Sequence, residues 1–232
     1  MIDKFSTIFD GLRLAYGTFK IEDRNSKGKA TGKAMIVREE RTEETWQAHL
    51  DGTQSVGIIP INEDNMCRWG CIDIDEYNFD HTALINKLTN LKLPLVVCRS
   101  KSGGAHVFLF TTDFIPAKDM QEVLTRLSVG LGYGGSEIFP KQIALNLDRG
   151  DVGNFLNMPY FDHENSLRYA FKPDSTAATL EEFFDLVADN VQTREQALAL
   201  VVEQDSSLPC QDGPPCLQTL CKDGIGEGAR NN

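Results

Sequence analysis

Apolar and polar positions along this chain follow two periods, and the switches between them mark out its elements. MIDKFSTIFDGLRLAYG sets Phe5, Ile8, Phe9, Leu12 and Tyr16 on one side of a helix. TFKIEDRNSKGKATGKAMIVREE reads as two strands around a loop, and TEETWQAHL as a helix capped by Thr42. Strands VGIIPI and WGCIDID come next, then helix HTALINKLTNL with apolar residues at 84, 85, 88 and 91. Strands LPLVVCR and AHVFLF precede a helix in AKDMQEVLTRLSVGL, which starts behind Pro116. Shorter strand signals lie in GSEIFP, KQIALNL and NFLNMPY. The pattern predicts an α+β fold, a mixed β-sheet flanked by helices on one side, of split β-α-β type. From Thr179 it turns helical, with capping boxes in Thr179/Glu182 and Thr193/Gln196. SSLPCQDGPPC reads as a linker. The expected division is a principal domain over 1–175, a helical appendage over 176–205, and a linker leading into a further helical module over 206–232. The chain thus reads as the N-terminal part of a longer protein.

Composition narrows the class. The 232 residues suffice for one large domain or a domain with an appendage. No apolar run reaches the roughly 18 residues that would span a membrane. The N-terminus lacks the basic, apolar, small order of a signal peptide, so a cytoplasmic protein is expected. The six cysteines include no CxxC pair, and Cys210, Cys216 and Cys221 lack zinc-ribbon spacing, so neither zinc nor disulfides are expected. A net charge of −11 argues against a nucleic-acid partner until it is divided along the chain. Residues 1–150 carry 18 basic and 20 acidic side chains, whereas 151–232 carry 5 and 14. The acidity belongs to the C-terminal part. Within the first part, Lys27, Lys29 and Lys33, followed by Arg38 and Arg41, form a basic stretch that suits a phosphate backbone or a solvated hairpin loop.

The candidate chemistry centres on CIDID. Alternation along a strand points Asp73 and Asp75 to one face, ~6.6 Å apart, with Ile72 and Ile74 turned to the core. Two acids at the end of an apolar strand suit a hard divalent cation carrying a phosphate chain. Taken alone they read equally well as solvated strand-end acids. Glu137 in SEIFP is a third acid on a short strand able to pair alongside, and three carboxylates with two metals suit in-line attack on a nucleotide's α-phosphate. In RSKSGGAH, Gly103 and Gly104 let the backbone approach a ligand closely. Ser100, Lys101 and Ser102 add donors, and Arg99 a fixed charge. His106 would donate a hydrogen bond to a triphosphate, the competing reading being a satisfied structural histidine. GLGYGG follows a helix and leads into a strand, the reverse of a dinucleotide site, and GKATGKA is too short for a P-loop.

CIDID, SKSGGAHVFLF, SEIFPKQ and GNFLNMPYF together resemble the archaeo-eukaryotic primase (AEP) superfamily, most closely the primase-polymerases of phages, plasmids and mobile conflict systems. The likeness runs from about Phe9 to Phe161. It implies an AEP/RRM-like catalytic domain over 1–175, with Asp73, Asp75 and Glu137 holding two Mg²⁺ or Mn²⁺ ions. His106, with Arg99, Ser100, Lys101 and Ser102, would bind the triphosphate, and Lys141, Gln142 and Asn154 the sugar or template. The implied partners are a single-stranded DNA template with primer, dNTPs or NTPs, and a fused or associated helicase, in a bacterial or phage-infected cell. Two positions depart from the pattern. The small hydroxyl residue expected two before the histidine is Gly104, and the third acid is Glu where Asp is commoner, which keeps Asp148 as a competitor. Two other readings stay open from the residues: a DxD nucleotide-sugar glycosyltransferase, and a non-catalytic RRM-like nucleic-acid-binding module.

Overall fold

The structure is a computed structural model that describes the backbone of residues 1–24 and 30–202 and the side chains of 1–19 and 33–202. In chain order its elements are α1 (Ile2–Ile8), β1 (Tyr16–Arg24), β2 (Ala30–Val37), α2 (Glu43–Leu50), β3 (Val56–Ile58), β4 (Met66–Ile74), α3 (His81–Asn90) and β5 (Val96–Arg99). There follow β6 (Ala105–Pro116), α4 (Ala117–Leu131), β7 (Glu137–Phe139), β8 (Leu156–Asn157), α5 (Leu180–Asn190) and α6 (Arg194–Ala199). Lys27, Lys29, the linker and Cys210, Cys216 and Cys221 lie outside the described residues.

One sheet has the order β5-β6-β4-β7, every neighbour antiparallel. β4 and β5 therefore run parallel with β6 between them, and β6 and β7 run parallel with β4 between them. These are two interlocked split β-α-β units, with α3 and α4 as the crossovers. The α+β class and this motif agree with the sequence pattern. The remaining strands form a second sheet, β2-β1-β3-β8. β4 has both edges occupied, and the outer edge of β5 is taken by residues 169–171 (Arg99 N–H to Tyr169 O at 2.9 Å, Phe171 N–H to Val97 O at 2.8 Å). The early strands pair among themselves.

The helices are not confined to one face. Ile72, Ile74, Val97, Val107 and Leu109 pack on α3 and α4, as expected. A Cβ on Gly70 would lie 2.6 Å from Met120 Cγ and Leu124 Cδ1, so α4 depends on glycine here to sit against β4. The opposite face carries Trp69, Cys71, Cys98, Phe108 and Phe110, which pack on Phe5 and Phe9, on Trp46 of α2, Phe183 of α5 and Val56, Ile58 and Leu156 of the second sheet. Both faces of the central strands are therefore apolar, and covering both removes more apolar surface from water.

Two predicted elements differ. The first helix ends at Ile8 instead of continuing to Tyr16, although Phe5, Phe9, Leu12 and Tyr16 are all buried. Leu12 N–H donates to Ile59 O at 2.9 Å, and a Cβ at Gly11 would lie 2.2 Å from that oxygen, so the chain leaves helical geometry to dock on 59–60. KQIALNL forms no strand. Asn65 Oδ1 accepts Leu145 N–H at 2.7 Å, Gln121 donates to the carbonyls of Pro140 and Lys141, and the segment ends in a 3₁₀ turn, Leu147–Arg149, capped by Asn146. Side chains here meet the backbone groups that a ladder would otherwise satisfy. The capping boxes expected at Thr179 and Thr193 are formed, and Thr42, expected as a simple cap, forms one with Thr45 as well. Among the described residues no helix is long and apolar enough to cross a membrane.

His49 pins the two halves of the second core. Its Nε2–H donates to Pro159 O at 2.8 Å, while Nδ1 accepts Val56 N–H at 3.0 Å, so both nitrogens are satisfied only in the neutral ring. Burial, opposed by the Pro159 hydrogen bond, lowers its pKa from 6.5 to about 4. The unfolded chain then binds the extra proton first. Stability contributed by His49 is full above pH ~6.5, falls as pH drops, and levels off below the folded pKa, a loss of about 3 kcal/mol. Chemical denaturation between pH 7 and 4 should show this slope, and His49→Gln, less stable at pH 7, should lack it.

Candidate active site

Sheet register builds the site one step beyond the core. Val96, Phe108, Cys71 and Phe139 form a row across β5, β6, β4 and β7. Two residues on along each strand, the row becomes Cys98, His106, Asp73 and Glu137. Directly opposed residues share a face, so the chemistry continues the packed face of the sheet where that face opens to solvent. The Asp73 side chain is 23% exposed and that of Glu137 61%. Cys98 stays buried, and burial pushes its thiol pKa well up, as it does for Cys67 and Cys71.

His106 Nε2 lies 3.4 Å from Asp73 Oδ1, its ring edge-on to Phe108 at 5.9 Å. Asp75 is the first residue past β4, and its Oδ1 accepts the Ser102 hydroxyl at 2.9 Å. Ser102 Oγ lies 3.0 Å from Ser100 Oγ. The turn that presents these hydroxyls is closed by Ser100 N–H to Gly104 O at 2.9 Å and Gly103 N–H to Ser100 O at 3.2 Å. Gly103 has φ +99°, a conformation only glycine adopts without strain. A Cβ at Gly104 would lie 2.1 Å from Ile74 O, so the turn rests directly on the end of β4. A ring nitrogen of His81, the first residue of α3, reaches Gly104 O at 3.0 Å, and the ring stacks on Phe171 at 4.7 Å.

A cleft of about 460 Å³ gathers Asp73, Asp75, Ser100, Lys101, Ser102 and His106, together with Tyr77 and Asn157. Lys101 Nζ lies 3.6 Å above the Phe19 ring of β1. Asn157 and Tyr77 were not singled out in the sequence. The alternation of NFLNMPY, with Leu156 buried and Asn157 half-buried, is the signal for the first. Nothing local marks the second.

Arg99, one step past Cys98 on β5, donates to Leu167 O at 3.2 Å and keeps its guanidinium beside the Ser100–Gly104 turn, where a Cβ at Gly103 would lie 3.3 Å from its Nη2. Other candidates stand outside the cleft. Glu137 stands opposite Asp73 in register, but its carboxylate is ion-paired with Lys141 at 2.5 Å. Asn154 and Gln142 hydrogen-bond each other, 2.5 Å apart, and line a separate groove with Arg38. Asp148 is exposed on the 3₁₀ turn and does not end a strand. Lys33 is exposed on β2, whereas Arg41 is buried, with its guanidinium on Leu12 O, Ala15 O and Asp10, a structural role.

As a cation site the donors fit in part. Asp73 and Asp75 are hard oxygen donors from one strand end, and each keeps Oδ2 without a protein partner among the described residues. Among those residues no three His, Cys, Asp or Glu side chains cluster closely enough to ligate one ion. Glu137 is the acid that register brings nearest, and Lys141 holds its carboxylate.

Comparison with known proteins decides the family. Residues 19–200 match the Archaeo-Eukaryotic Primase domain of TOTE conflict systems. The chain belongs to the archaeo-eukaryotic primase superfamily. Among solved structures, this AEP chain is similar to the AEP domain of the cyanophage S-2L primase-polymerase (PrimPol), at 10% identity and a TM-score of 0.42, covering 80% of this chain and 95% of that one. No curated protein matches the sequence. The departure from the AEP pattern at Gly104 now has a physical reason. The turn lies too close to Ile74 O for any side chain there, and the hydroxyl that meets the second aspartate comes from Ser102.

Proposed function

We propose that this AEP domain is a DNA primase-polymerase, a template-directed nucleotidyltransferase that joins (d)NTPs to a primer during replication of a phage or mobile element. The observation that carries the reading is the convergence of Asp73, Asp75, the Ser100–Gly104 turn and His106 on one cleft. Asp73 and Asp75 would hold Mg²⁺ or Mn²⁺, with Glu137 as third ligand once Lys141 releases it. Bound there, the ions supply a lowered pKa for the primer 3′-hydroxyl and neutralise charge on the triphosphate and departing pyrophosphate. The side chains align the reactants. Ser100, Ser102 and the turn's backbone cradle the phosphates, Lys101 adds positive charge, and His106, oriented by Asp73, donates to a phosphate oxygen. The hydroxyl oxygen bonds to the α-phosphorus as the bond to the bridging oxygen breaks, the hydroxyl proton passes to solvent, and pyrophosphate leaves.

The family match leaves the glycosyltransferase reading without support. The RRM-like binding module fares no better, because the sheet face such a module leaves open is covered by α1, α2, α5 and the second sheet. The direct test is extension of a labelled primer on single-stranded DNA with dNTPs or NTPs. No product from the wild-type protein in either Mg²⁺ or Mn²⁺ would end the proposal. The third ligand is settled by Glu137→Gln and Asp148→Asn. The first should cost about a hundredfold in extension and the second less than about twofold; the reverse pattern would move the assignment to Asp148.

A further inference from the structure

Tyr77 is the one aromatic side chain among the described residues that stands in solvent, at 87% exposure. A tyrosine ring so exposed gains nothing for folding, yet its loop is well anchored. On one side Asp75 accepts Ser102 and Glu76 N abuts the Gly104 turn; on the other Phe79 packs edge-on to His81 at 5.1 Å and Asp80 caps α3. Asn78 takes a positive φ of 58°, which turns the chain back between these anchors. The ring itself touches no other ring, and its hydroxyl has no hydrogen-bond partner among the described residues. It lines the cleft that holds Asp73, Asp75 and the hydroxyl turn. A fixed loop thus presents an unpartnered π-face beside the place where phosphates would bind.

We propose that Tyr77 is the stacking platform for the base of the incoming nucleotide, a specificity residue that reads the presence of a base and not its identity. The inference rests on the nucleotidyl-transfer reading of the same cleft. Every base has a π-face, so stacking is tolerant of sequence, and its worth is lost when the ring is removed. The aromatic plane is what matters, not the phenol.

The test is binding of each of four dNTPs, and of inorganic tripolyphosphate, to the 232-residue protein in Mn²⁺ without DNA. Tyr77→Ala should weaken every dNTP by roughly 5- to 100-fold. The same variant should leave tripolyphosphate, which has no base, within about twofold of wild type, and Tyr77→Phe should bind all ligands like wild type. A parallel loss for tripolyphosphate would show a merely structural role and overturn the proposal. So would unchanged dNTP affinity, or a loss confined to binding of a single-stranded oligonucleotide, which would assign the ring to the template. Wild-type protein that binds neither dNTP nor tripolyphosphate would overturn the parent reading as well; binding by wild type with no effect of Tyr77→Ala would overturn this inference alone.

Discussion

Asp73→Asn and Asp75→Asn should each reduce primer extension by about a thousandfold or more, while single-stranded DNA binding and thermal stability stay near wild type. A carboxylate that holds a catalytic cation contributes several kcal/mol to the transition state, and each 1.36 kcal/mol is a factor of ten in rate. Asparagine keeps the size and one acceptor oxygen, so the packing of β4 is undisturbed. Asp73 and Asp75 also face one cleft with like charge, and neutralising one relieves their repulsion without a cation present. Extension in Mg²⁺ and in Mn²⁺, set beside thermal denaturation, separates a lost cation site from a lost fold. Retention of more than about a tenth of wild-type activity by either variant would remove that aspartate from the proposed cation site.

Gly104→Ser should be the most damaging small substitution in the site, although it restores the hydroxyl position of the family pattern. Its Cβ would lie 2.1 Å from Ile74 O and 3.2 Å from Glu76 N, both backbone atoms, so the turn or the end of β4 must move. Overpacking against backbone costs about 3 kcal/mol, a fall of roughly 6–12 °C in melting temperature for a chain of this size. The same displacement would draw Ser102 away from Asp75 and Gly104 O away from His81, so extension should collapse even below the melting transition. Ser102→Ala, which removes one hydrogen bond and no space, should leave the melting temperature nearly unchanged. A Gly104→Ser protein with wild-type stability and activity would show that the turn is looser than its contacts imply.

Much of this arrangement is legible in the chain. Short apolar runs bounded by turn residues placed β4, β5 and β6, capping residues placed α2, α5 and α6, and the order of types predicted the split β-α-β motif. CIDID and SKSGGAH were visible because each is a polar set interrupting an apolar strand, a local violation that burial alone does not explain. The errors have a common cause. A helix through Tyr16 and a strand at KQIALNL are both what local pattern favours. Ile59 O draws the chain at Gly11, and Asn65 with Gln121 bonds the backbone near 140–145, from positions far away in sequence. One residue's step along β5 separates Arg99 from Cys98, and only the register with Ala105 shows which of them shares a row with His106.

The sequence by itself determined the strands of the central sheet, their crossovers and two local sets of side chains, because hydrophobic pattern and turn chemistry act over a few residues. Only the tertiary structure decided that these sets meet. Register across β6, β4 and β7 aligns His106, Asp73 and Glu137 in one row. The close contact of Gly104 with Ile74 O sets Ser102 against Asp75, and the fold brings Tyr77 and Asn157 to the same cleft. Pairing between strands distant in sequence depends on which edges remain open once the core has closed, and no local period encodes that.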